Sequence, residues 1–127
     1  DAPQFLKRHP EVDGIMCAEG EKTLTELIRY YESEKSQGKS LDEINGIVYQ
    51  ENRTIHQTPL RDIMNMDDLV FPYEDLKDFE HKIIYYESSR GCPFRCSYCL
   101  SSIDKRVRFR SLDLVKKRIG LSMLLDK

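Results

Sequence analysis

No apolar run in this sequence approaches the roughly 18–20 residues that a membrane-spanning helix needs, so no helical span is expected. The first residues, Asp1-Ala2-Pro3-Gln4, lack a basic stretch followed by an apolar one, so they do not read as a secretory signal. An initiating Met is also missing, and the chain reads as an excised or processed piece. Internal repeats and low-complexity tracts are absent. With 127 residues, one ordinary domain or pieces of two remain as readings. Cysteine is sparse: there are four, and three of them fall within residues 92–99. A disulfide scaffold would spread its cysteines along the chain. Tight clustering without a secretion signal favours metal ligation in a reducing compartment, which places the protein in the cytoplasm.

Hydrophobic residues make up 39% and charged residues 33%, ordinary for a soluble globular chain. The net charge of −2 hides an asymmetry. Residues 1–80 carry nine Lys/Arg against 18 Asp/Glu, whereas residues 81–127 carry 11 against four. A basic half attracts anions such as phosphate, carboxylate, nucleic acid or an anionic metal cluster. The break near residue 81 also suggests a module boundary.

Hydrophobic patterning gives an alternation of strands and helices. Val12–Cys17 reads as a strand end and Ala18–Glu21 as a turn. A helix is expected from about Thr23, with Thr23 and Glu26 as a capping box. Leu24, Leu27, Ile28 and Tyr31 fall at helical spacing and predict one buried stripe. Ile44–Tyr49 and Thr54–His56 read as a hairpin whose tip is Glu51-Asn52-Arg53, ended by Pro59. Residues 58–76 read as an extended crossing segment, with a short helical turn around Tyr73–Glu80. Lys82–Glu87 is almost continuously apolar and β-branched, which predicts a strand buried on both faces. Ser111 is placed to cap a last helix with Leu112, Val115, Ile119 and Met123 on one face. Gly120 should weaken that helix by about 1 kcal/mol relative to Ala.

Between that strand and the last helix lies Gly91-Cys92-Pro93-Phe94-Arg95-Cys96-Ser97-Tyr98-Cys99, a C-x3-C-x2-C loop. Three thiolates on one short loop suit three irons of a cubane, and a tight Gly/Pro loop supplies N–H donors and partial exclusion of water. A four-iron cluster usually has four protein ligands. The fourth iron is therefore either open or ligated from a distance by Cys17. Three alternatives stand beside this. Zinc would use these cysteines with Cys17, His81 or a residue elsewhere. Cys96 and Cys99 also have the spacing of a redox pair, which leaves Cys92 unexplained. Unliganded core cysteines fit poorly with the Pro, Arg and Ser between them.

The run Tyr86–Cys99 resembles the signature of the radical S-adenosylmethionine superfamily, in which a C-x3-C-x-aromatic-C loop follows the first strand of a partial or full α/β barrel. The resemblance implies that Cys92, Cys96 and Cys99 ligate a 4Fe–4S cluster and that Tyr98 lies beside the adenine of S-adenosylmethionine. It also implies an open fourth iron for the cosubstrate's amino and carboxylate groups. Arg90 and Gly91 belong to the same cofactor-binding stretch. Arg90 and Arg95 flank the loop and are expected to offset the cluster's negative charge or hold a substrate carboxylate. Upstream, Val12-Asp13-Gly14, Glu19–Thr23, Gly46–Tyr49 and Phe71-Pro72-Tyr73 are similar to the join between a cobalamin-binding domain and a radical barrel. Ala18 stands where that group usually has the first Gly of Gly-Glu-Gly-Glu.

The implied fold is α/β in three parts. Residues 1–40 would be the tail of a Rossmann-like cobalamin-binding domain, 41–80 a hairpin and extended linker, and 81–127 the first strand and helix of a partial TIM-type barrel with the Fe–S loop. A full barrel needs about 200 residues or more, so this piece alone is not expected to turn over. The Asp-x-His-x-x-Gly element with which some cobalamin domains ligate cobalt is not in the chain. The implied activity of the longer protein is reductive cleavage of S-adenosylmethionine to a 5′-deoxyadenosyl radical, with cobalamin as a second cofactor in the longer protein. An unidentified substrate and an electron donor such as flavodoxin or ferredoxin are the implied partners. No catalytic residue is assigned.

The competing function is a zinc-stabilised binding module whose basic face, Lys105–Arg110, meets nucleic acid. Alternation of basic and apolar residues there also fits a half-exposed strand, and that structural reading is preferred. Glu19 and Glu21 read as helix-start acids rather than a catalytic pair. His9, His56 and His81 have no ligand spacing. Cys17 reads as a buried thiol, and Phe71, Tyr73, Tyr85 and Tyr86 as core.

Overall fold

The computed structural model describes residues 1–33, 40–73, 76–94, 96–100 and 106–123. The chain divides into two compact units, Asp1–Ile63 and Met64–Lys127. Among the described residues there are three α-helices and two small antiparallel sheets, a small α/β arrangement. No described helix is long and apolar enough to cross a membrane.

The first unit holds α1 (Ala2–Arg8), β1 (Gly14–Met16), α2 (Glu21–Glu32), β2 (Ile47–Glu51) and β3 (Thr54–Gln57). Its sheet order is β1-β2-β3, all antiparallel, with Met16 opposite Ile47 and Tyr49 opposite His56. The hairpin reading holds. Asn52 and Arg53 both take positive φ, 49° and 63°, as a two-residue turn matching the twist of its strands requires. Alternation sends Ile47 and Tyr49 to one face and Val48 and Gln50 to the other. On the first face Leu27 and Tyr30 of α2, with Leu41, pack against Ile44, Ile47 and Tyr49. On the second, the Gln50 side-chain amide donates to the carbonyls of Pro10 and Val12, just beyond α1. Ile47 is held doubly by buried Thr58, whose hydroxyl accepts from its N–H at 3.0 Å and donates to its C=O at 3.1 Å.

Helix α2 starts two residues earlier than expected, at Glu21, with Gly20 as its N-cap and no side-chain cap. Thr23 is not a cap. It is fully buried, and its hydroxyl donates to the Asn45 carbonyl and accepts from Arg61 Nε. Arg61 also pairs with Glu26. These polar contacts turn the helix so that Thr23, Leu27 and Tyr30 face inward. The expected stripe is therefore corrected: Leu24, Ile28 and Tyr31 are exposed. Gly46 reverses the chain ahead of β2 at φ +83°, and an added Cβ would lie 3.1 Å from the Thr23 hydroxyl.

The second unit holds β4 (Ser89–Arg90), β5 (Arg108–Phe109) and α3 (Leu112–Met123), with one-turn 3-10 helices at Met66–Asp68 and Leu76–Phe79. The latter matches the expected helical turn. The strand expected over Lys82–Glu87 does not form: the pairing begins only at Ser89. Ile83 and Tyr85 are 81% and 79% exposed, while Ile84 and Tyr86 are half-buried. A strand buried on both faces needs a layer on each side, and here only one side is covered. Phe71 is core, as expected, and lies edge-on to Tyr73 and Tyr86, whereas Tyr85 is not. In α3 the half-buried residues are Leu114, Val115 and Arg118 rather than Leu112 and Ile119, because Arg118 lays its guanidinium over the Phe71 ring at 4.8 Å. The side chain of Met123 lies outside the described residues.

Candidate functional site: the cysteine loop

The loop leaves β4 through Gly91, whose φ of +100° is a conformation L side chains rarely adopt. A Cβ there would stand 2.1 Å from the Arg106 carbonyl oxygen. Glycine at this position therefore lets two backbone segments pass at contact distance, bringing the start of the loop against the segment entering β5. The β4–β5 pair, Ser89 with Phe109 and Arg90 with Arg108, and the bond from Arg110 N–H to the Ser88 carbonyl close the base of the loop.

Cys92, Cys96 and Cys99 form no disulfide, and all three are half-buried. Every other described residue from Gly91 to Leu100 is exposed. Within the loop the Cys99 N–H donates to the Cys96 carbonyl at 3.2 Å, a turn that sets these two residues close along the chain. Tyr98 is 91% exposed, and Phe94 and Leu100 are also exposed. Arg95 lies outside the described residues. Arg90 sits on β4, where its guanidinium takes a two-point hold on the Glu87 carboxylate, at 2.8 Å from Nε and 2.7 Å from Nη2. That geometry fixes the direction of a planar cation. Sequence reasoning missed Glu87 as the group that orients Arg90. Its signal was the i, i+3 spacing of the two charges.

A single tetrahedral ion draws its ligands to about 2.0–2.3 Å from one point. Among the described residues no group of three or more His, Cys, Asp or Glu is gathered in that way. His9 stacks on Phe5 and pairs with Glu11, His56 stacks on Tyr49, and His81 lies 3.8 Å from Glu80. Cys17 follows β1 in the first unit and is half-buried rather than buried.

The basic stretch after the loop is used inside its own unit. Arg108 Nη1 donates to the Met64 carbonyl at 2.8 Å. Arg110 is buried, donates from Nε to the Met66 carbonyl at 2.9 Å and from Nη2 to that of Leu69, and lies over the Tyr86 ring. These two guanidiniums pin the 64–69 segment to β5. Lys105 lies outside the described residues.

No protein-family model matches the chain, and no solved structure matches it. Curated relatives do. The chain is 32% identical to an uncharacterized methyltransferase of Pyrococcus horikoshii, over 94% of its own length and 27% of the relative's. A match of that extent takes in the cysteine loop, whichever end the few unmatched residues occupy. It is 31% identical to an anaerobic magnesium-protoporphyrin IX monomethyl ester cyclase of Synechocystis sp., over 75% of this chain and 20% of the relative. The enzyme of that name from Rubrivivax gelatinosus is 30% identical over 76% of this chain and 19% of the relative. The chain is thus homologous to part of a methyltransferase and of anaerobic cyclases, spanning between about a fifth and about a quarter of the lengths of these enzymes.

Proposed function

We propose that this chain is the cluster-binding segment of a radical S-adenosylmethionine enzyme, with Cys92, Cys96 and Cys99 as the ligands of a 4Fe–4S cluster. The observation that carries the reading is the pattern of exposure in the loop: the three thiols are the residues turned partly inward among otherwise exposed neighbours. Each thiolate of a cubane takes its own iron, so the site needs no common ligation point. The donor set, three thiols and no histidine, fits such a cluster. Homology to a methyltransferase and to cyclases supports an enzymatic parent.

When bound, the cluster supplies the electron for reductive cleavage of S-adenosylmethionine. The chain's own residues do the holding. Gly91 lets the loop turn back close against the Arg106 carbonyl, so the first thiol is positioned by backbone rather than by a mobile side chain. Glu87 holds the Arg90 guanidinium in a fixed direction two residues before Cys92. Tyr98, exposed between Cys96 and Cys99, offers a ring face to adenine. In this reading residues 1–40 are the end of a cobalamin-binding-like domain, 41–80 a linker and 81–127 the start of the barrel. The exposed side of Ile83 and Tyr85 is then the face that further barrel elements would cover. Methyl transfer or ring closure, with cobalamin as a second cofactor, are the outcomes the relatives' names suggest.

Anaerobic reconstitution with iron and sulfide tests this. About four irons per chain are expected, lost on changing Cys92, Cys96 or Cys99 to Ala and retained in Cys17→Ala. Tight zinc at about one per chain, with no cluster formed, would refute the reading.

A further inference from the structure

In the first unit, β1, β2 and α2 line a groove of about 490 Å³, within the range of small-molecule sites. Three tyrosines line it: Tyr30 and Tyr31 from the last turn of α2 and Tyr49 from β2. Tyr30 and Tyr31 meet edge to face at 5.2 Å. The cross-strand neighbour of Tyr49 on the β1 side is Gly14. Two carboxylates, Asp13 and Glu51, complete the lining, and neither pairs with a basic group among the described residues. Among the described residues, no Lys, Arg or His lines the groove. The unit around it is acidic, with 12 Asp/Glu against eight Lys/Arg in residues 1–63.

Aromatic faces carry negative potential and attract cations, most strongly where water is partly excluded. Apolar walls, the Tyr30 and Tyr31 rings and two carboxylates without a basic partner among the described residues are together complementary to a cation with an apolar body. Against the described lining a small anion would meet like charge, and a neutral apolar ligand would leave the carboxylates idle. We infer that this groove binds a small organic cation, a quaternary or alkylated ammonium. The inference is independent of the cluster assignment and stands or falls without it.

The probe is choline, titrated into the full chain at low ionic strength and followed by proton NMR, with 3,3-dimethylbutan-1-ol as its uncharged isostere. The expected result is saturable choline binding, with ring-current shifts of the N-methyl signal. Tyr31→Leu, at an exposed position that leaves the fold intact, should weaken binding about two- to fivefold, the range of a cation–π contact at an exposed site. Glu51→Gln should weaken choline but leave the isostere unchanged. Equal binding of choline and the isostere would overturn the inference and leave an apolar docking face. So would choline that fails to saturate, or affinity unaltered in both variants.

Discussion

Replacing Gly91 by Ala offers a sharp test of how the cysteine loop is built. The new methyl would fall 2.1 Å from the Arg106 carbonyl oxygen and 3.0 Å from its carbon, both backbone atoms that no rotamer change moves away. Non-bonded heavy atoms settle at roughly 3.5 Å or more, so one segment must retreat by more than an ångström. Overpacking of this kind costs about 1–3 kcal/mol, and the positive φ adds about 1–2 kcal/mol for any residue with a Cβ. A total near 3 kcal/mol raises local opening by about 100-fold. Amide hydrogen exchange reads this directly. Protection of the Arg110 amide, which donates to the Ser88 carbonyl, should fall by about that factor or vanish, while the Gln50 amide in β2 keeps its rate. The iron content after reconstitution should fall in parallel. Gly120→Ala is the control, since a Cβ there meets nothing within 4 Å and should stabilise α3 by about 1 kcal/mol. If Gly91→Ala exchanges like the parent at Arg110 and loads iron normally, the close-approach account of the loop is wrong.

Three further outcomes are expected. Thr58→Val strips the buried Ile47 N–H of its acceptor and should cost about 1–3 kcal/mol in urea unfolding, with Thr58→Ser restoring most of it. Arg110→Met should destabilise the second unit by about 3 kcal/mol, since charged hydrogen bonds to the Met66 and Leu69 carbonyls are lost together; thermal unfolding that leaves this unit unmoved would contradict it. Burial, and then the hydrogen bond to Asp42, push the Tyr49 phenol up to about 12. Its folded value exceeds the unfolded one near 10, so the stability it contributes is full below pH about 10 and is lost as pH rises towards about 12. In ultraviolet titration one of the seven tyrosines should ionise late, and Asp42→Asn should bring it down; a single titration near 10 for all seven would refute this.

The local elements were legible because their signals are short-range. The hairpin could be read from two β-branched runs around Glu51-Asn52-Arg53, and a helix was apparent over the residues after Gly20. The cysteine spacing likewise stood out in the chain itself, since three thiols within eight residues need no tertiary information to be noticed. Which face of each helix turns inward was not legible. In α2 the expected stripe Leu24–Leu27–Ile28–Tyr31 kept only Leu27, and Thr23–Leu27–Tyr30 turned inward, because Thr23 satisfies the Asn45 carbonyl and accepts from Arg61, residues far along the chain. In α3 Arg118 took an inward place by lying on Phe71. Ile83–Tyr86 has a strand's composition but no pairing, since strand formation depends on partners that composition cannot supply.

By itself, then, the sequence determined the chemistry available at the loop: three thiols, an aromatic between the last two, and a glycine before the first. Tertiary structure alone decided how that loop is held. The need for Gly91 arises from the Arg106 carbonyl, 15 residues away in sequence, and Arg108 and Arg110 turn onto carbonyls of residues 64–69 rather than outward to a ligand. The physical reason is the same in each case. A backbone carbonyl must find a donor or be given room, and only the folded chain determines which group stands close enough to provide it.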